Sequence, residues 1–163
     1  LLELKKKNYI SKIGYSTYNY NFINNKDFIP PDVIQAPFNI IDQRILQKNI
    51  MKYLKKNKIK IYIRSIFLQG ILLMNYNLDN NFKHLSQKLQ LIDFDRNKLN
   101  INKLDLNFNF INYFNFYDQI IIGINSAAEL NDIINFNHIK NFKINRSKYM
   151  LNDERVIDPR KWN

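Results

Sequence analysis

The sequence contains no cysteine and few residues that bend a chain. Its 163 residues include only three glycines and four prolines. The absence of cysteine excludes disulfides, thiolate metal sites and cysteine nucleophiles. Two histidines without cysteine do not indicate a metal site. The longest apolar run, at 119–123, has the length of a strand, far short of the roughly 18 residues of a membrane span, so no membrane partner is expected.

Acidic residues are the minority charge, with 14 Asp and Glu against 25 Lys and Arg and a formal net charge of +11. This sign would suit a nucleic-acid binder. However, Lys, Asn, Ile, Phe and Tyr are abundant together, and their codons are all A/T-rich. The lysines are scattered, and the longest basic run, Lys5–Lys7, ends a predicted helix, where cations favour the dipole. We therefore interpret the basic charge as solvated surface, and nucleic acid is not the expected partner.

The chain is long enough for one domain with a sizeable core, and 45% of its residues are hydrophobic. No apolar segment follows the first basic run, so no signal peptide is visible and a cytoplasmic location is expected. The first residue is Leu1 rather than Met, which indicates a fragment.

Apolar strand-like runs alternate with helical stretches along the chain, which predicts an α/β fold with a parallel sheet. Both faces of these strands are apolar, as in buried parallel sheets. The predicted strands are Lys12–Thr17, Asp32–Ala36, Lys60–Ser65 and Gln119–Gly123. The predicted helical segments are Leu1–Asn8, Gln43–Asn57, part of Phe67–Tyr117, and Ala127–Phe136 with Ser126 as its cap. Residues 104–116 alternate like a strand, but the strand–helix rhythm favours a helix there.

Glycine and polar residues mark the ends of these strands. We expect Gly14, Gly70 and Gly123 to occupy places where a β-carbon would not fit. Active-site residues of α/β proteins lie at the carboxyl ends of the strands. The polar residues found at these ends are Ser16 and Thr17, Gln35, Arg64 and Ser65, and Asn125 and Ser126.

Four motifs in this order resemble the C-terminal half of the aldo/keto reductase superfamily. The stretches I-G-Y-S-T-Y-N at 13–19 and V-I-Q-A-P-F-N-I-I-D-Q-R at 33–44 resemble that family's fifth and sixth strands. The stretches I-R-S-I-F-L-Q-G-I-L-L at 63–73 and I-I-I-G-I-N-S-A-A-E-L at 120–130 resemble its seventh and eighth. The resemblance implies the second half of a TIM (β/α)8 barrel over residues 1–139, with residues 140–163 as a C-terminal tail packed on it.

The resemblance also implies a cofactor site in this half. Ser16 and Gln35 match side chains that bind the nicotinamide carboxamide, and Arg64 replaces an aromatic residue that stacks on the nicotinamide ring. Thr17 stands where most members have an asparagine that shares the carboxamide contact. The loop around the pyrophosphate corresponds to Ser65, Phe67, Gln69 and Gly70. The segment that holds the adenosine end corresponds to Asn125, Ser126 and Glu129.

The resemblance further implies an NAD(P)H-dependent carbonyl reductase, whose substrate could be a sugar derivative. NADPH is the family's usual cofactor, and Glu129, where members have Gln or Arg, leaves NADH open. The catalytic Asp, Tyr, Lys and His of the family belong to its first four strands. No catalytic residue is therefore assigned in this chain, which is expected to be inactive and insoluble or oligomeric without an N-terminal half.

Plainer interpretations stand beside these. His84 and His138 follow no strand and are expected at the surface, and Tyr15, Tyr18 and Tyr62 are expected in the core or barrel wall. An arginine at the end of an apolar strand needs a partner, so an Arg64–Asp42 ion pair is the alternative to stacking. The alternative function is a non-catalytic nucleotide- or RNA-binding module, which would gather the lysines into one stripe.

Overall fold

A computed structural model describes residues 1–74, 82–140 and 142–162. These residues form an α/β fold around a four-stranded parallel sheet whose strands are ordered β1-β2-β3-β4. The strands are β1 (Gly14–Ser16), β2 (Val33–Pro37), β3 (Lys60–Arg64) and β4 (Gln119–Ile120). The helices are α1 (Leu2–Lys6), α2 (Lys48–Lys56), α3 (Lys83–Leu99), α4 (Lys103–Asn112), α5 (Ala127–Ile134) and α6 (Glu154–Ile157).

The predicted alternation of strands and helices is confirmed, with shorter elements than expected. Each of the four predicted strands overlaps an observed strand, although β2 runs one residue further, to Pro37. The predicted helix 43–57 divides into a 3₁₀ turn at Arg44–Leu46 and helix α2. The predicted loop-and-helix segment between the third and fourth strands contains α3 and α4. Its residues 75–81 lie outside the described part of the chain.

Helix α4 shows why the alternating segment after residue 103 is helical. Its Asp105 and Asn109 are buried and lie one turn apart. The Asp105 carboxylate accepts a hydrogen bond from the Asn137 N–H at 2.8 Å, and the Asn109 amide bonds both the Asn137 carbonyl and the Ile139 N–H, each at 2.7 Å. These polar side chains anchor the backbone that follows α5, while Phe108 and Phe110 fill the core.

Burial within the sheet is one-sided. Ile34 and Ala36 of β2 and Ile61 and Ile63 of β3 are buried on one face. On the other face, the strand register aligns a polar row that is exposed or half-buried: Ser16, Gln35, Tyr62 and Gln119. The expectation that both faces are buried is therefore wrong, because among the described residues the core covers only one of them.

Strand β1 is exposed along its whole length. Tyr15, at its centre, is 43% exposed and packs against Phe28 with ring centroids 5.1 Å apart. Of the two places expected for Tyr15, the core is wrong, and a place in a barrel wall stays a prediction. Tyr62 is half-buried on the polar face of the sheet.

Two aspartates form hydrogen bonds between neighbouring strands at the amino ends of those strands. Asp32, just before β2, accepts a hydrogen bond from the Ile13 N–H at 2.8 Å and pairs with Lys5 of α1 at 2.5 Å. Asp118, just before β4, accepts one from the Ile61 N–H of β3 at 2.8 Å. In both cases an aspartate just before one strand accepts a hydrogen bond from the backbone at the start of the neighbouring strand. Both contacts lie at the end of the sheet opposite the polar strand ends.

The three glycines serve different purposes. A β-carbon on Gly14 would lie 3.0 Å from the Val33 carbonyl oxygen, so the close approach of β1 and β2 requires glycine, as expected. Gly70 has space for a β-carbon but adopts a φ of +86°, which favours glycine. Gly123 meets nothing within 4 Å, so the expectation of a crowded site is wrong there.

The tail contacts several distant elements. The Leu151 N–H bonds the Ile41 carbonyl at 3.0 Å, and the Gln43 amide bonds the Arg146 carbonyl at 2.9 Å. Asp95 of α3 accepts hydrogen bonds from Tyr149 and from Lys148, the latter at 2.7 Å. The division of the chain at residue 139 stays a prediction, and residues 141 and 163 lie outside the described range.

The Asp95 contact predicts a loss of stability in acid. Although partial burial acts to raise the pKa of Asp95, hydrogen bonds from Lys148 and Tyr149 hold it below its ordinary 3.8. The stabilisation is therefore complete above pH 3.8 and is lost as pH falls through the lower folded-state pKa. We expect Asp95→Asn to cost about 1.5 kcal/mol at pH 7, and the cost to shrink below pH 4.

Urea unfolding between pH 2 and pH 7 measures this difference. Asp27→Asn, which removes an exposed carboxylate from a turn, is the control and should show no comparable change. A cost for Asp95→Asn that is constant across this pH range would contradict the prediction.

Within the three described ranges, no helix combines the length and the apolar character that crossing a bilayer requires.

Candidate functional site

A groove of about 1110 Å³ opens at the carboxyl ends of β3 and β4. One wall is the loop that follows β3, another is the segment from β4 into α5, and the start of α4 closes the side between them. Its volume exceeds the roughly 300–1,000 Å³ typical of sites for drug-sized ligands. The groove therefore has room for a large, extended ligand at the end of the sheet where α/β proteins bind theirs.

Seven of the ten residues proposed from the sequence as cofactor-binding line this groove. They are Arg64, Ser65, Phe67, Gln69, Gly70, Asn125 and Glu129. Ser16 and Gln35 are not among its lining residues, but they lie side by side on β1 and β2, on the same sheet face as Arg64. Ser126 also lies outside the lining, at the start of α5.

The loop after β3 has an unusual backbone. Ser65, Leu68 and Gln69 have φ values of 55°, 45° and 56°, and Gly70 follows at 86°. Left-handed conformations of residues other than glycine each cost about 1–3 kcal/mol and concentrate at functional sites. Successive turns of this kind also point backbone N–H groups into concavities that bind anions. The strained loop borders the groove directly.

Aromatic rings form part of the groove wall. Phe67 lies 5.7 Å from Phe108 between ring centroids, and Phe108 stacks on Phe136 at 4.7 Å. Phe67 and Phe136 line the groove, whereas Phe108 supports both from the core. The wall is therefore apolar and braced by a buried ring.

Three cations line the groove, and two of them have carboxylate partners. Arg96 and Lys103 both pair with Asp93, at 3.2 and 3.3 Å. Arg64 forms no ion pair with any carboxylate of the described residues. Its Nη1 donates to the Ser65 hydroxyl at 3.1 Å and its Nη2 donates to the Thr17 carbonyl at 3.3 Å, whereas its buried Nε has no acceptor in the described part of the chain.

The alternative pairing of Arg64 with Asp42 does not occur. Asp42 accepts hydrogen bonds from the Arg44 Nε at 2.9 Å and Nη2 at 2.8 Å, and both residues are buried. The Arg64 guanidinium lies instead over the ring of Tyr18, with its central carbon 4.1 Å from the ring centroid. Tyr18 is half-buried and lies after β1, with the Arg64 guanidinium on its ring. The expectation that Tyr18 lies in the core or barrel wall is therefore wrong.

Glu129 and Ser126 order the loop that enters α5. The Ser126 hydroxyl accepts a hydrogen bond from the Glu129 N–H at 3.1 Å, which confirms the predicted cap. The Glu129 carboxylate accepts one from the Asn125 N–H at 2.8 Å, one residue before the cap. Asp132 lines the same side of the groove, so two carboxylates face any ligand there.

The remaining candidates lie at the surface. His84 and His138 are exposed, as expected. The lysines occupy exposed or half-buried positions on helices α1 to α4, on the strand β3, and in the loops and tail. This dispersal over separate elements gives little support to a single basic stripe for RNA.

Fold and groove together define an α/β protein whose ligand groove lies at the carboxyl ends of parallel strands. A sequence model of the aldo/keto reductase family matches residues 1–150. The chain belongs to the aldo/keto reductase family. Membership indicates an oxidoreductase, and members typically bind a nicotinamide cofactor and act on carbonyl substrates. No curated protein matches the chain.

Proposed function

We propose that this chain is the C-terminal half of an NAD(P)H-dependent aldo/keto reductase and supplies most of its cofactor site. The observation that carries the proposal is the groove of about 1110 Å³ that gathers Arg64, the strained loop after β3 and the entrance to α5. It lies where a barrel of this kind binds its ligands.

The exposed edges of the sheet support the interpretation as half a barrel. Among the described residues, β1 and β4 each pair with a single neighbour. Exposed apolar side chains precede β1, lie in it or follow β4 along the chain, and they include Leu1 (73%), Tyr15 (43%), Ile124 (44%) and Ile134 (69%). Four further parallel strands would close the barrel and cover these surfaces. We propose an N-terminal βα half as their partner, with residues 140–163 packing on the completed barrel in the cytoplasm.

The proposed cofactor position follows the groove. Arg64, Ser16 and Gln35 share one sheet face and would hold the nicotinamide end. The N–H groups of the Ser65–Gly70 loop, apart from that of Leu68, which donates to the Ser65 carbonyl at 3.0 Å, would meet the pyrophosphate, since left-handed turns of this kind suit an anion. Asn125, Ser126 and Glu129 would hold the adenosine end. When bound, the nicotinamide supplies the hydride that reduces a carbonyl to an alcohol.

NADPH is the cofactor that the resemblance implies, with NADH as the alternative. The carboxylates of Glu129 and Asp132 at the α5 end of the groove favour NADH, because a 2′-phosphate would place further negative charge beside them. No residue from 119 to 137 is a lysine or arginine that would offset this repulsion. The catalytic residues would come from the N-terminal half.

Calorimetric titration of the chain with NADH and NADPH tests the proposal. We expect Arg64→Met to weaken dinucleotide binding about tenfold or more, because it removes the groove cation that lacks a carboxylate partner. Arg155→Met is the matched control, since the Arg155 side chain is 82% exposed and pairs only with Asp153 among described residues. Absence of binding of either dinucleotide to chain that remains in solution would overturn the proposal, and RNA binding in its place would support the alternative function.

A further inference from the structure

Two arginine side chains pack against the aromatic ring of Tyr18. The guanidinium carbons of Arg64 and Arg160 each lie 4.1 Å from its ring centroid. Arg64 belongs to β3, whereas Arg160 belongs to the tail, beyond the residues 1–150 that match the family. The tail thus reaches the same aromatic ring as the groove arginine.

Arg160 is fixed and neutralised by its own partner. Asp158 is 2% exposed and accepts hydrogen bonds from the Arg160 Nε at 2.8 Å, Nη2 at 2.6 Å and backbone N–H at 3.1 Å. The fork geometry of an arginine with a carboxylate is both strong and directional. Arg160 therefore presents a guanidinium of fixed orientation to Tyr18.

Arg64 has no comparable support. Its two terminal nitrogens make hydrogen bonds of 3.1 and 3.3 Å, its Nε has no acceptor, and no described carboxylate pairs with it. Contact with the face of Tyr18 is consequently the interaction that most restricts the plane of this guanidinium. Displacing the ring would leave the Arg64 guanidinium held only by its hydrogen bonds to the Ser65 hydroxyl and the Thr17 carbonyl, at 3.1 and 3.3 Å.

We propose that Tyr18, Asp158 and Arg160 form a clamp that orients the Arg64 guanidinium towards the groove. The clamp residues are positioning residues that act through Arg64, and their role in ligand binding rests on the function proposed above. The tail then contributes to cofactor affinity although none of its described residues lines the groove.

Two substitutions at Tyr18 separate the ring from the hydroxyl. Tyr18→Leu removes the aromatic face, and we expect it to weaken NADH binding about tenfold. Tyr18→Phe keeps the face and should bind NADH as the unchanged chain does. At the tail, Arg160→Lys keeps a positive charge beside Asp158 but loses the planar contact, so it should also weaken binding. Arg155→Lys is the matched control, because Asp153–Arg155 repeats the same Asp-X-Arg fork at the surface.

A second measurement reports on Arg64 without any ligand. Phenylglyoxal modifies accessible guanidinium groups, and mass spectrometry gives the rate at each arginine. Arg155 serves as the exposed internal reference. We expect Arg64 to react several-fold more slowly than Arg155 in the unchanged chain and in Tyr18→Phe, and to lose this protection in Tyr18→Leu.

The outcomes distinguish the clamp from the proposed function. Unchanged protection of Arg64 in Tyr18→Leu overturns the clamp. Lost protection with unchanged NADH affinity also overturns its role in binding, while the cofactor site stands. If the unchanged chain binds no NADH, the proposed function fails, and the protection of Arg64 alone then decides whether the clamp exists.

Discussion

Replacing Asp42 with alanine will destabilise the folded chain by about 3–5 kcal/mol, because it leaves a buried cation without its counter-ion. The Asp42 carboxylate is 1% exposed and accepts hydrogen bonds from the Arg44 Nε at 2.9 Å and Nη2 at 2.8 Å. The Arg44 side chain is itself only 9% exposed. Its second carboxylate, on Glu154, lies at 3.6 Å, too far to replace the fork.

The control for this prediction is the same motif at the surface. Asp153 and Arg155 make the same pair of side-chain bonds, at 3.1 and 2.8 Å, but the arginine is 82% exposed. Asp153→Ala should cost only about 1 kcal/mol, because water solvates the released cation and the main loss is the cap that Asp153 provides to α6. Urea unfolding followed by circular dichroism gives both values. Equal losses in the two variants would show that burial does not determine the strength of these pairs.

Alone in solution, the chain will associate or precipitate rather than remain a monomer of 19.7 kDa. The edges of β1 and β4 offer unpaired backbone groups, and exposed apolar side chains lie near both. Leu130 and Ile134 on α5 are 42% and 69% exposed. Lysines at these two positions should lower the associated fraction, because burying two cations in the contact would be costly.

Light scattering after size-exclusion chromatography measures the mass directly. Leu91→Lys is the matched control, since Leu91 is an exposed leucine of α3, 36% exposed, on a helix separate from β4 and α5. It should leave the association unchanged. If the unsubstituted chain elutes as a single 19.7 kDa species and unfolds cooperatively, both this prediction and the half-barrel proposal are contradicted.

Local patterns predict the elements of this fold well. The amphipathic spacing of Ile50 and Leu54 marks α2, and Ser126 followed by Glu129 marks the start of α5, because the responsible contacts lie within one or two turns. The helix α4 is harder, since its alternating polar residues bond backbone at 137–139. Because these polar side chains bond a distant segment, their alternation cannot be explained from neighbouring residues. Only the alternation of strands and helices along the whole chain favoured a helix at this position.

The groove was predictable in part from the polar ends of the strands. Arg64 and Asn125 converge on it because parallel strands end at one edge of the sheet. The position of Tyr18 was not predictable, since its second arginine lies in the tail and no spacing rule joins them. The alternative pairing of Arg64 with Asp42 is wrong, because Arg44, only two residues along the chain, donates to both carboxylate oxygens of Asp42.

The aspartates that precede β2 and β4 have a consequence for protein engineering. Asp32 and Asp118 tie adjacent strands together at the end of the sheet opposite the groove. Substitutions confined to the groove-lining Phe67 and Gln69 of the loop after β3 would leave both of these contacts in place, together with the buried Ile66, Leu68 and Leu72 of the same loop. A library altered at these two positions, in a chain completed by its N-terminal half, should therefore keep the sheet and the core intact while the ligand preference changes.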